Sequence, residues 1–327
     1  MTHPNLNRLK SEANAALTAF LNRWPADKGD GLYAPVHYLM QLGGKRLRAV
    51  LALSAAEAEG HSLSVAMPAA LGVELFHNFT LMHDDIMDEA PKRRGQDTVH
   101  TKWDESTAIL SGDAMYTLAH IAFLELNAEA LPRALELFNQ TALEVCLGQQ
   151  SDMAFETRQD VSVEEYLEMI RLKTSVLVAA SLGVGAIAAG ATPERTAIWV
   201  EMGEQLGLAF QMQDDLLDTF GGEAVGKQIG GDILADKKTF LRLYTAENGG
   251  EEARRALASW DGNRSDATGK IEAIRSAMQS AGAEVAAKQL MNEQVDRAMA
   301  CMDRLQLSDE HREWFGFLAG LVTQRKS

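Results

Sequence analysis

Two stretches of the sequence, 66–88 and 198–218, are apolar around most of the circumference that an α-helix would give them. A helix that is apolar on all sides is stable in water only when other helices surround it. Along the rest of the chain, apolar residues recur at intervals of three and four, and alternating β patterns are nearly absent. The sequence therefore predicts an all-α protein, a large bundle of long helices.

The composition limits the partners that such a bundle can have. Acidic residues outnumber basic ones by 46 to 31, and a net charge of −15 disfavours broad binding to nucleic acid or to anionic membranes. No linker or low-complexity segment interrupts the 327 residues, so we expect one domain over 1–327. Cys146 and Cys301 form neither a disulfide framework nor a zinc motif, which favours a reducing compartment.

The longest apolar run, 176–191, raises the question of a membrane-spanning helix. It is interrupted by Ser181 and several glycines and is shorter than the ~20 residues that a spanning helix needs. We interpret it as a buried helix. The first ten residues also lack the basic start and apolar core of a signal peptide. We therefore expect a cytoplasmic protein without a membrane span.

Each of the two apolar stretches ends in the same acidic motif, Asp-Asp-x-x-Asp. Residues four apart in a helix lie about 40° apart on one face, so Asp84 with Asp88, and Asp214 with Asp218, form carboxylate pairs. Like charges at this spacing repel, and a buried carboxylate has to be paired, protonated or bound to metal. One such motif can be a solvated helix end. Two of them predict carboxylate clusters that hold a diphosphate through Mg²⁺, which prefers oxygen ligands and substrate phosphates.

Basic residues accompany both motifs, as a diphosphate that is not fully covered by metal requires. The segment Gly43-Gly44-Lys45-Arg46-Leu47-Arg48 opens a predicted helix, whose N-terminal end favours an anion. Arg93-Arg94-Gly95 follows the first acidic motif, and Lys227 and Lys237 follow the second. Lys173-Thr174 precedes the long apolar run. Each of these segments alone is also typical of a solvated surface, so its assignment to phosphate binding depends on the presence of the others.

Taken in order, these segments resemble the trans-isoprenyl diphosphate synthases, or polyprenyl synthetases, of the short-chain type that makes geranylgeranyl or farnesyl diphosphate. Further matches are His83 before the first motif, Phe210-Gln211 before the second, and Gly231-Asp232 through Lys237. The resemblance implies an isoprenoid synthase fold, with long helices around a central cavity and the acidic motifs facing each other at its mouth. It also implies a homodimer that binds isopentenyl diphosphate and an allylic diphosphate (dimethylallyl, geranyl or farnesyl).

The resemblance assigns a role to each matching residue. The Mg²⁺ ligands would be Asp84, Asp88 and Asp214, supported by Asp85, Asp215 and Asp218, with three ions bound alongside the diphosphate. The allylic diphosphate would be held by Arg93, Lys173 and Lys237, and isopentenyl diphosphate by Lys45, Arg48, His77 and Arg94, with Lys227 a further substrate-binding residue. Helical spacing independently supports His77, which lies seven residues, or about two turns, before Asp84. A structural histidine is the alternative.

The implied reaction needs no protein nucleophile. Metal ions and basic side chains stabilise the charge that grows on the departing diphosphate, and the allylic carbon ionises. The double bond of isopentenyl diphosphate attacks the cation, and a proton is lost, in this family to the released diphosphate. Thr174 and Gln211 would turn oxygen dipoles toward the cation, while apolar walls exclude water.

The product length depends on where the growing tail stops beside the helix that precedes the first acidic motif. At 1.5 Å per residue, Phe79 lies about 7.5 Å and Phe76 about 12 Å along this helix from Asp84. Helical phase favours Phe76 and Thr80 as the floor, whereas the family pattern emphasises Phe79, and ordinary core packing is the alternative for either ring. Thr80 is small where farnesyl-producing relatives of eukaryotic type are bulky, and the insertion of bacterial farnesyl synthases is absent. We therefore expect geranylgeranyl rather than farnesyl diphosphate.

Two other functions fit part of this pattern. Terpene cyclases share the fold and the first motif, but their second motif contains Asn, Ser and Glu where this chain repeats aspartates. A non-catalytic partner subunit of a prenyl synthase loses motif aspartates, and all six are present here. At the end of the chain, Arg325-Lys326 is similar to a basic tail that closes over isopentenyl diphosphate in some relatives.

Overall fold

The fold is seen in a computed structural model that describes residues 3–29, 31–221 and 230–323. Over these residues the structure consists of α-helices, one π-helical turn and one short hairpin, which confirms the all-α prediction. The helices are α1 (Pro4–Leu21), α2 (Ala34–Gln41), α3 (Leu47–Ala58), α4 (Leu63–Met87), α5 (Val99–Lys102), α6 (Glu105–Phe123), α7 (Ala130–Thr157), α8 (Val163–Ile170), α9 (Val176–Ala188), α10 (Pro193–Phe220), α11 (Gly231–Leu234), α12 (Phe240–Asn248), α13 (Glu251–Trp260), α14 (Ala267–Ser280), α15 (Ala283–Arg304) and α16 (Asp309–Thr323). The hairpin pairs β1 (Lys92–Arg93) with β2 (Gln96–Asp97) in antiparallel register.

The chain divides into two compact units. Unit 1 comprises Met1–Thr141 and Ala180–Val200, and unit 2 comprises Ala142–Ala179 and Glu201–Ser327. The boundaries fall inside α7, α9 and α10. One domain over the whole length therefore stays a prediction.

Unit 1 is organised around α4, which contains the first apolar stretch. This helix packs mainly against α3 and α6 and also contacts α1, α2 and α5. Its side chains from Ala69 to Phe76 are buried without interruption, as a helix that is apolar on all sides requires. The acidic motif follows at the C-terminal end of α4, where the helix passes from the core to the surface.

Unit 2 surrounds its core with α8, α12, α14 and α15, and the second half of α10 contributes to the same core. Buried members from these elements include Tyr166, Leu216, Leu241, Ile274 and Met291. The second acidic motif lies near the C-terminal end of α10. As in unit 1, three aspartates lie near the C-terminal end of an apolar helix.

The long apolar run forms α9, and its residues from Val176 to Ala189 are all buried, as expected of a core helix. Two helical stretches, Leu63–Met87 and Val163–Ala188, are long and apolar enough to cross a membrane. Of their most apolar windows, 61% and 78% are buried inside the protein. Core helices pass the same test of length and composition, so this is weak evidence for a membrane span.

Candidate active site

The first acidic cluster contains a buried ion pair between its middle aspartate and Arg93. Asp85 is 3% exposed, and Arg93 donates to its two carboxylate oxygens through Nε and Nη2 at 2.8 to 3.0 Å. The short hairpin fixes Arg93 beside α4. Asp84, in contrast, is half-buried, and Asp88 is exposed at the C-terminal cap of the helix. The cluster therefore presents its first and third carboxylates, while a guanidinium neutralises the second.

The side chain of Arg94 lies close to the backbone of the Gly43-Gly44 segment. The Arg94 guanidinium donates to the carbonyl oxygen of Gly43. A Cβ atom on Gly44 would lie 3.0 Å from the guanidinium nitrogens, and the φ of Gly44 is +142°, which favours glycine. The structure thus explains one glycine of this motif by the space that an arginine needs.

The basic residues of this segment have different environments. Arg46 is 5% exposed and bonds to Glu74 of α4 at 3.2 Å and to the carbonyl oxygen of Met40 at 2.5 Å. Its neighbours Lys45 and Arg48 are exposed and half-buried. Arg46 thus ties the segment to the core of unit 1, and Lys45 and Arg48 remain the candidates for an anion.

His77 lies within a concentration of positive charge in unit 1. Its burial, together with the charges of Arg48, Arg94, Arg93 and Arg46 in that order, lowers the pKa of the imidazole well below its ordinary value. The pKa of Arg94 is lowered as well, first by burial and then by Arg46 and Arg93. These mutual repulsions are relieved when an anion binds among the side chains.

In the second acidic cluster, the hydrogen-bond partners that the described part of the chain gives the middle aspartate are neutral. Asp215 is 2% exposed and accepts hydrogen bonds from Tyr166 Oη at 2.6 Å and from Gln211 Nε2 at 3.1 Å. Burial raises the pKa of Asp215 to about 7, Asp232 and Asp214 add to this effect, and the two hydrogen bonds oppose it. Burial and the nearby Asp215 also raise the pKa of Tyr166, so the phenol stays protonated and donates.

The third aspartate of this cluster binds the N-terminal end of α11. Asp218 Oδ2 accepts a hydrogen bond from the backbone N–H of Asp232 at 2.9 Å, in the first turn of α11. Lys237 is exposed and lies 3.9 Å from the Asp232 carboxylate. Lys227 and the pair Arg325-Lys326 lie outside the described residues.

Lys173 and Thr174 belong to a π-helical turn, Arg171–Ser175, between α8 and α9. Such wide turns inside helices are frequent at functional sites. Lys173 Nζ bonds to Asp152 of α7 at 2.5 Å, and Thr174 Oγ1 donates to Gln211 Oε1 at 3.4 Å. A Cβ atom on Gly148 would come within 2.3 Å of the Lys173 backbone nitrogen, so glycine is what allows α7 to pass so near.

The candidate floor residues are part of an aromatic cluster in unit 1. Phe76 is 1% exposed and packs on Phe138 with ring centroids 5.2 Å apart. Phe79 is half-buried and lies 5.2 Å from the ring of Tyr116 on α6. Thr80 is half-buried, and its hydroxyl donates to the backbone carbonyl oxygen of His77 in the same helix. Phe79 is therefore the more accessible of the two rings.

Three partners at this site escaped the sequence reasoning: Tyr166, Asp152 and Tyr116. Tyr166 lies seven residues before Lys173, and this two-turn spacing on a predicted helix could have identified it. Asp152 and Tyr116 lie on α7 and α6, outside every motif. Nothing in the sequence relates them to Lys173 or Phe79.

The carboxylate groups fit Mg²⁺ as a ligand set that is incomplete without substrate. In the part of the chain that the structure describes, no group of three His, Cys, Asp or Glu side chains could hold a metal ion by itself. Mg²⁺ usually binds through one or two carboxylates, water and substrate phosphates. Paired aspartates such as Asp84 and Asp88 agree with that kind of coordination.

Known proteins are similar to this chain over most of its length. Residues 30–278 match the sequence model of the family described as polyprenyl synthetase. A geranylgeranyl diphosphate synthase of Methanosarcina mazei is 43% identical over 242 residues, which are 73% of this chain and 74% of that protein. A crystal structure of a geranylgeranyl pyrophosphate synthase matches with a TM-score of 0.93 at 41% identity, over 100% of both chains. That of the Corynebacterium glutamicum enzyme, complexed with isoprenyl diphosphate and magnesium, matches at 0.88 and 30% identity, over 98% of this chain and 99% of that one.

Proposed function

The chain belongs to the polyprenyl synthetase family, and from that premise we propose that it extends allylic diphosphates with isopentenyl diphosphate up to geranylgeranyl diphosphate. As a member it is a short-chain trans-prenyl diphosphate synthase, a prenyltransferase that acts on isoprenoid diphosphates. One observation carries the residue assignments. Both acidic motifs close an apolar helix, and in both the middle aspartate is buried and bound by neighbouring side chains.

The first part of the proposal concerns the metal. Asp84, Asp88 and Asp214 would hold Mg²⁺, three ions in all with the diphosphate bound, because these carboxylates are more exposed than the buried Asp85 and Asp215. When bound, Mg²⁺ neutralises the diphosphate and stabilises its charge as it leaves. The other three motif aspartates, Asp85, Asp215 and Asp218, support the clusters through their own partners.

The allylic diphosphate is held by Arg93, Lys173 and Lys237, with Lys227 as a further candidate. Arg93 and Lys173 are oriented by carboxylates, Asp85 at 2.8 Å and Asp152 at 2.5 Å. A guanidinium has five N–H donors and an ammonium three, so each can keep its carboxylate partner and still donate to a phosphate oxygen. Their positive charge favours ionisation, because it lowers the energy of the departing diphosphate.

Isopentenyl diphosphate binds to Lys45, Arg48, His77 and Arg94. The lowered pKa of His77 and of Arg94 supports this assignment, since it reflects positive charges that repel each other until an anion is present. The C3–C4 double bond of isopentenyl diphosphate then attacks C1 of the allylic cation, and a bond forms between its C4 and that carbon. The resulting tertiary cation loses a proton to the released diphosphate, and the oxygens of Thr174 and Gln211 stabilise the cation stage.

Phe79 is the proposed floor that stops the chain at twenty carbons, and farnesyl diphosphate is the alternative product. Replacement of Phe79 by Ala should give products longer than those of the wild type, analysed by mass spectrometry. Phe76→Ala is the matched comparison. Because Phe76 is packed in the core, we expect this variant to lose about 3–5 kcal/mol of stability and to make products of the same length as the wild type. Longer products from Phe76→Ala alone would move the floor to that ring.

The protein is expected to act as a homodimer in the cytoplasm, without a membrane span. Large apolar side chains on α6, at its C-cap and on α7 are left in water in a single copy, with Leu110, Leu124, Leu143 and Leu147 each 58% to 64% exposed. Exposed apolar groups of this size are typical of protein interfaces. A second copy of the chain is the occupant that the family resemblance favours.

The decisive test is incubation of the purified protein with isopentenyl diphosphate and dimethylallyl, geranyl or farnesyl diphosphate, with and without Mg²⁺. We expect metal-dependent elongation that ends at twenty carbons. Accumulation of a fifteen-carbon product would assign the farnesyl alternative. Folded protein that elongates none of the primers in the presence of Mg²⁺ would overturn the proposed function.

A further inference from the structure

A chain of three hydrogen bonds in unit 2 runs from Tyr166 through Asp215 and Gln211 to Thr174. The donor and acceptor distances are 2.6 Å from Tyr166 Oη to Asp215 Oδ2, 3.1 Å from Gln211 Nε2 to Asp215 Oδ1, and 3.4 Å from Thr174 Oγ1 to Gln211 Oε1. The proposed function gives Gln211 and Thr174 a part in stabilising the cation, and it gives Asp215 only the support of its cluster. The first two, Tyr166 and Asp215, have no assigned part in the reaction chemistry.

The chain has a direction, which its chemistry imposes. An ionised carboxylate only accepts hydrogen bonds, so above a pH of about 7, where Asp215 is ionised, the group that Gln211 turns toward it has to be its NH₂. The amide oxygen of Gln211 then lies on the opposite side, toward Thr174. Because Thr174 uses its one proton on this oxygen, its own lone pairs point elsewhere. Reversal of the Gln211 amide would set two oxygens against each other at Asp215.

We propose that Tyr166 is a positioning residue that acts through Asp215 to hold the oxygen ends of the Gln211 and Thr174 dipoles toward the allylic cation. The inference rests on the proposed function of this site. It assigns Asp215 to the orientation of Gln211 rather than to the coordination of metal. Dipoles that are already oriented when the charge develops stabilise it at no cost of reorganisation.

The surroundings make this chain rigid at both ends. Tyr166 is 3% exposed and lies in the first turns of α8, which begins with a capping box between Ser162 and Glu165. At the other end, Thr174 lies in the π-helical turn that Gly148 and Gly207 approach closely; a Cβ on Gly207 would lie 2.5 Å from the backbone of Ser175. Because the Tyr166 phenol and the Thr174 hydroxyl are both held in place, the Gln211 amide has one orientation in which its oxygen and its NH₂ are both hydrogen-bonded.

Tyr166→Phe is the sharpest single test, because it removes the hydroxyl and keeps the packed ring. With geranyl diphosphate as primer, we expect kcat to fall about tenfold, the order of effect of one hydrogen bond to a charged group. The KM of each diphosphate should change less than about twofold, since no substrate contact is lost. Tyr244→Phe, a matched change on α12 in the same unit, should leave kcat and KM as in the wild type.

A double-variant cycle distinguishes positioning from a general loss of structure. In a Thr174→Val background the hydroxyl at the end of the chain is gone, so Tyr166→Phe should cost much less than in the wild type. In Thr174→Ser, which keeps the hydroxyl, the full sensitivity to Tyr166→Phe should return. Equal losses in all three backgrounds, or no loss in the wild-type background, would overturn the proposal.

Asp215→Asn keeps the shape of the chain and serves as a second variant if Tyr166→Phe does not fold. The new amide turns its NH₂ either toward Gln211, which then reverses its own amide, or toward Tyr166, whose hydroxyl then accepts instead of donating. We expect kcat to fall at least as far as in Tyr166→Phe. Calorimetric binding of Mg²⁺ in the presence of inorganic diphosphate should match the wild type. Weakened Mg²⁺ binding would identify Asp215 as a metal ligand and contradict the proposal.

The failure of this inference can be told apart from the failure of the proposed function. If the wild type does not elongate any primer, the proposed function fails and the cycle cannot be measured. If the wild type elongates and Tyr166→Phe has the same kcat, only the positioning role is wrong. Urea unfolding of each variant gives its free energy of unfolding, and a value equal to that of the wild type shows that a fall in kcat does not come from loss of the fold.

Discussion

The two acidic clusters have the same motif, but their middle aspartates are stabilised in opposite ways. Asp85 of the first cluster forms an ion pair with Arg93, whose guanidinium contacts both carboxylate oxygens. Asp215 of the second cluster accepts hydrogen bonds from two neutral groups, the phenol of Tyr166 and the amide of Gln211. Both carboxylates are buried, at 3% and 2% exposed. The difference therefore comes from the partners and not from the depth.

This difference shows that a repeated motif can perform two tasks. The first cluster neutralises its middle carboxylate with Arg93, which we propose to bind a phosphate. In the second cluster the described hydrogen-bond partners of the middle carboxylate are neutral, and we propose that it orients the Gln211 amide. Only the first aspartates, Asp84 and Asp214, have the same proposed role in both clusters.

The largest effect is expected where the clusters are alike, at the proposed metal ligands. Asp84→Asn and Asp214→Asn should each lower kcat about 10³-fold, because each removes a charged ligand from the transition state. Elongation assays over a range of Mg²⁺ concentrations measure the effect, and excess metal should restore part of the loss. Asp296→Asn, an exposed aspartate on α15, is the control. Wild-type kinetics in one of the two variants would show that the clusters are not equivalent even here.

A smaller effect, on stability, should distinguish the clusters by pH. The pKa of Asp215 is about 7 in the folded protein, and an unfolded aspartate has a pKa of about 3.9. Below pH 4 both states are protonated. Between these values the folded state keeps a proton that the unfolded state releases. The folded state therefore loses stability as the pH rises from about 4 to about 7, and the loss is complete above 7.

Asp215→Asn removes this pH-dependent loss. In metal-free buffer, the variant should gain stability relative to the wild type by a few kcal/mol between pH 4 and 7, at about 1.4 kcal/mol per pKa unit. Urea unfolding at intervals across this range measures the difference, and other titrating groups such as His77 cancel because both proteins contain them. A stability difference that does not change with pH would mean that Asp215 is ionised throughout.

Sequence reasoning reached the fold and the motif residues by arguments of periodicity and charge. The apolar stretches 66–88 and 198–218 lie within α4 and α10, and the run beginning at Val176 forms the buried α9. These features depend on local patterns, which a helix repeats every three or four residues. His77 lies among the charges of four arginines, and its position on the face of Asp84 stays a prediction.

What the sequence could not supply were contacts between distant segments. The letters Asp-Asp-x-x-Asp are the same in both clusters, so nothing in them indicates that Arg93 binds one and Tyr166 the other. Arg46 looked like its basic neighbours, but its side chain is directed into the core to Glu74. The π-helical turn at Lys173 shifts the helical phase, and the spacing of the apolar residues does not predict it.

The smallest expected effect is on stability at one pH, and it has opposite signs for the middle aspartates of the two clusters. Asp85→Asn, measured at pH 8, removes the charge that Arg93 neutralises and should destabilise the protein by about 1–2 kcal/mol, since Arg93 is partly exposed and water replaces some of the interaction. Asp215→Asn at the same pH should stabilise it, because a buried charge without a cation disappears.

A double variant decides whether Arg93 is the cause of this difference. In an Arg93→Met background the carboxylate of Asp85 has lost its cation, so Asp85→Asn should no longer destabilise and should act like Asp215→Asn. Urea unfolding of the four proteins gives the coupling free energy directly. If Asp85→Asn destabilises equally with and without Arg93, the ion pair does not stabilise the first cluster, and its middle aspartate is held by the helix alone.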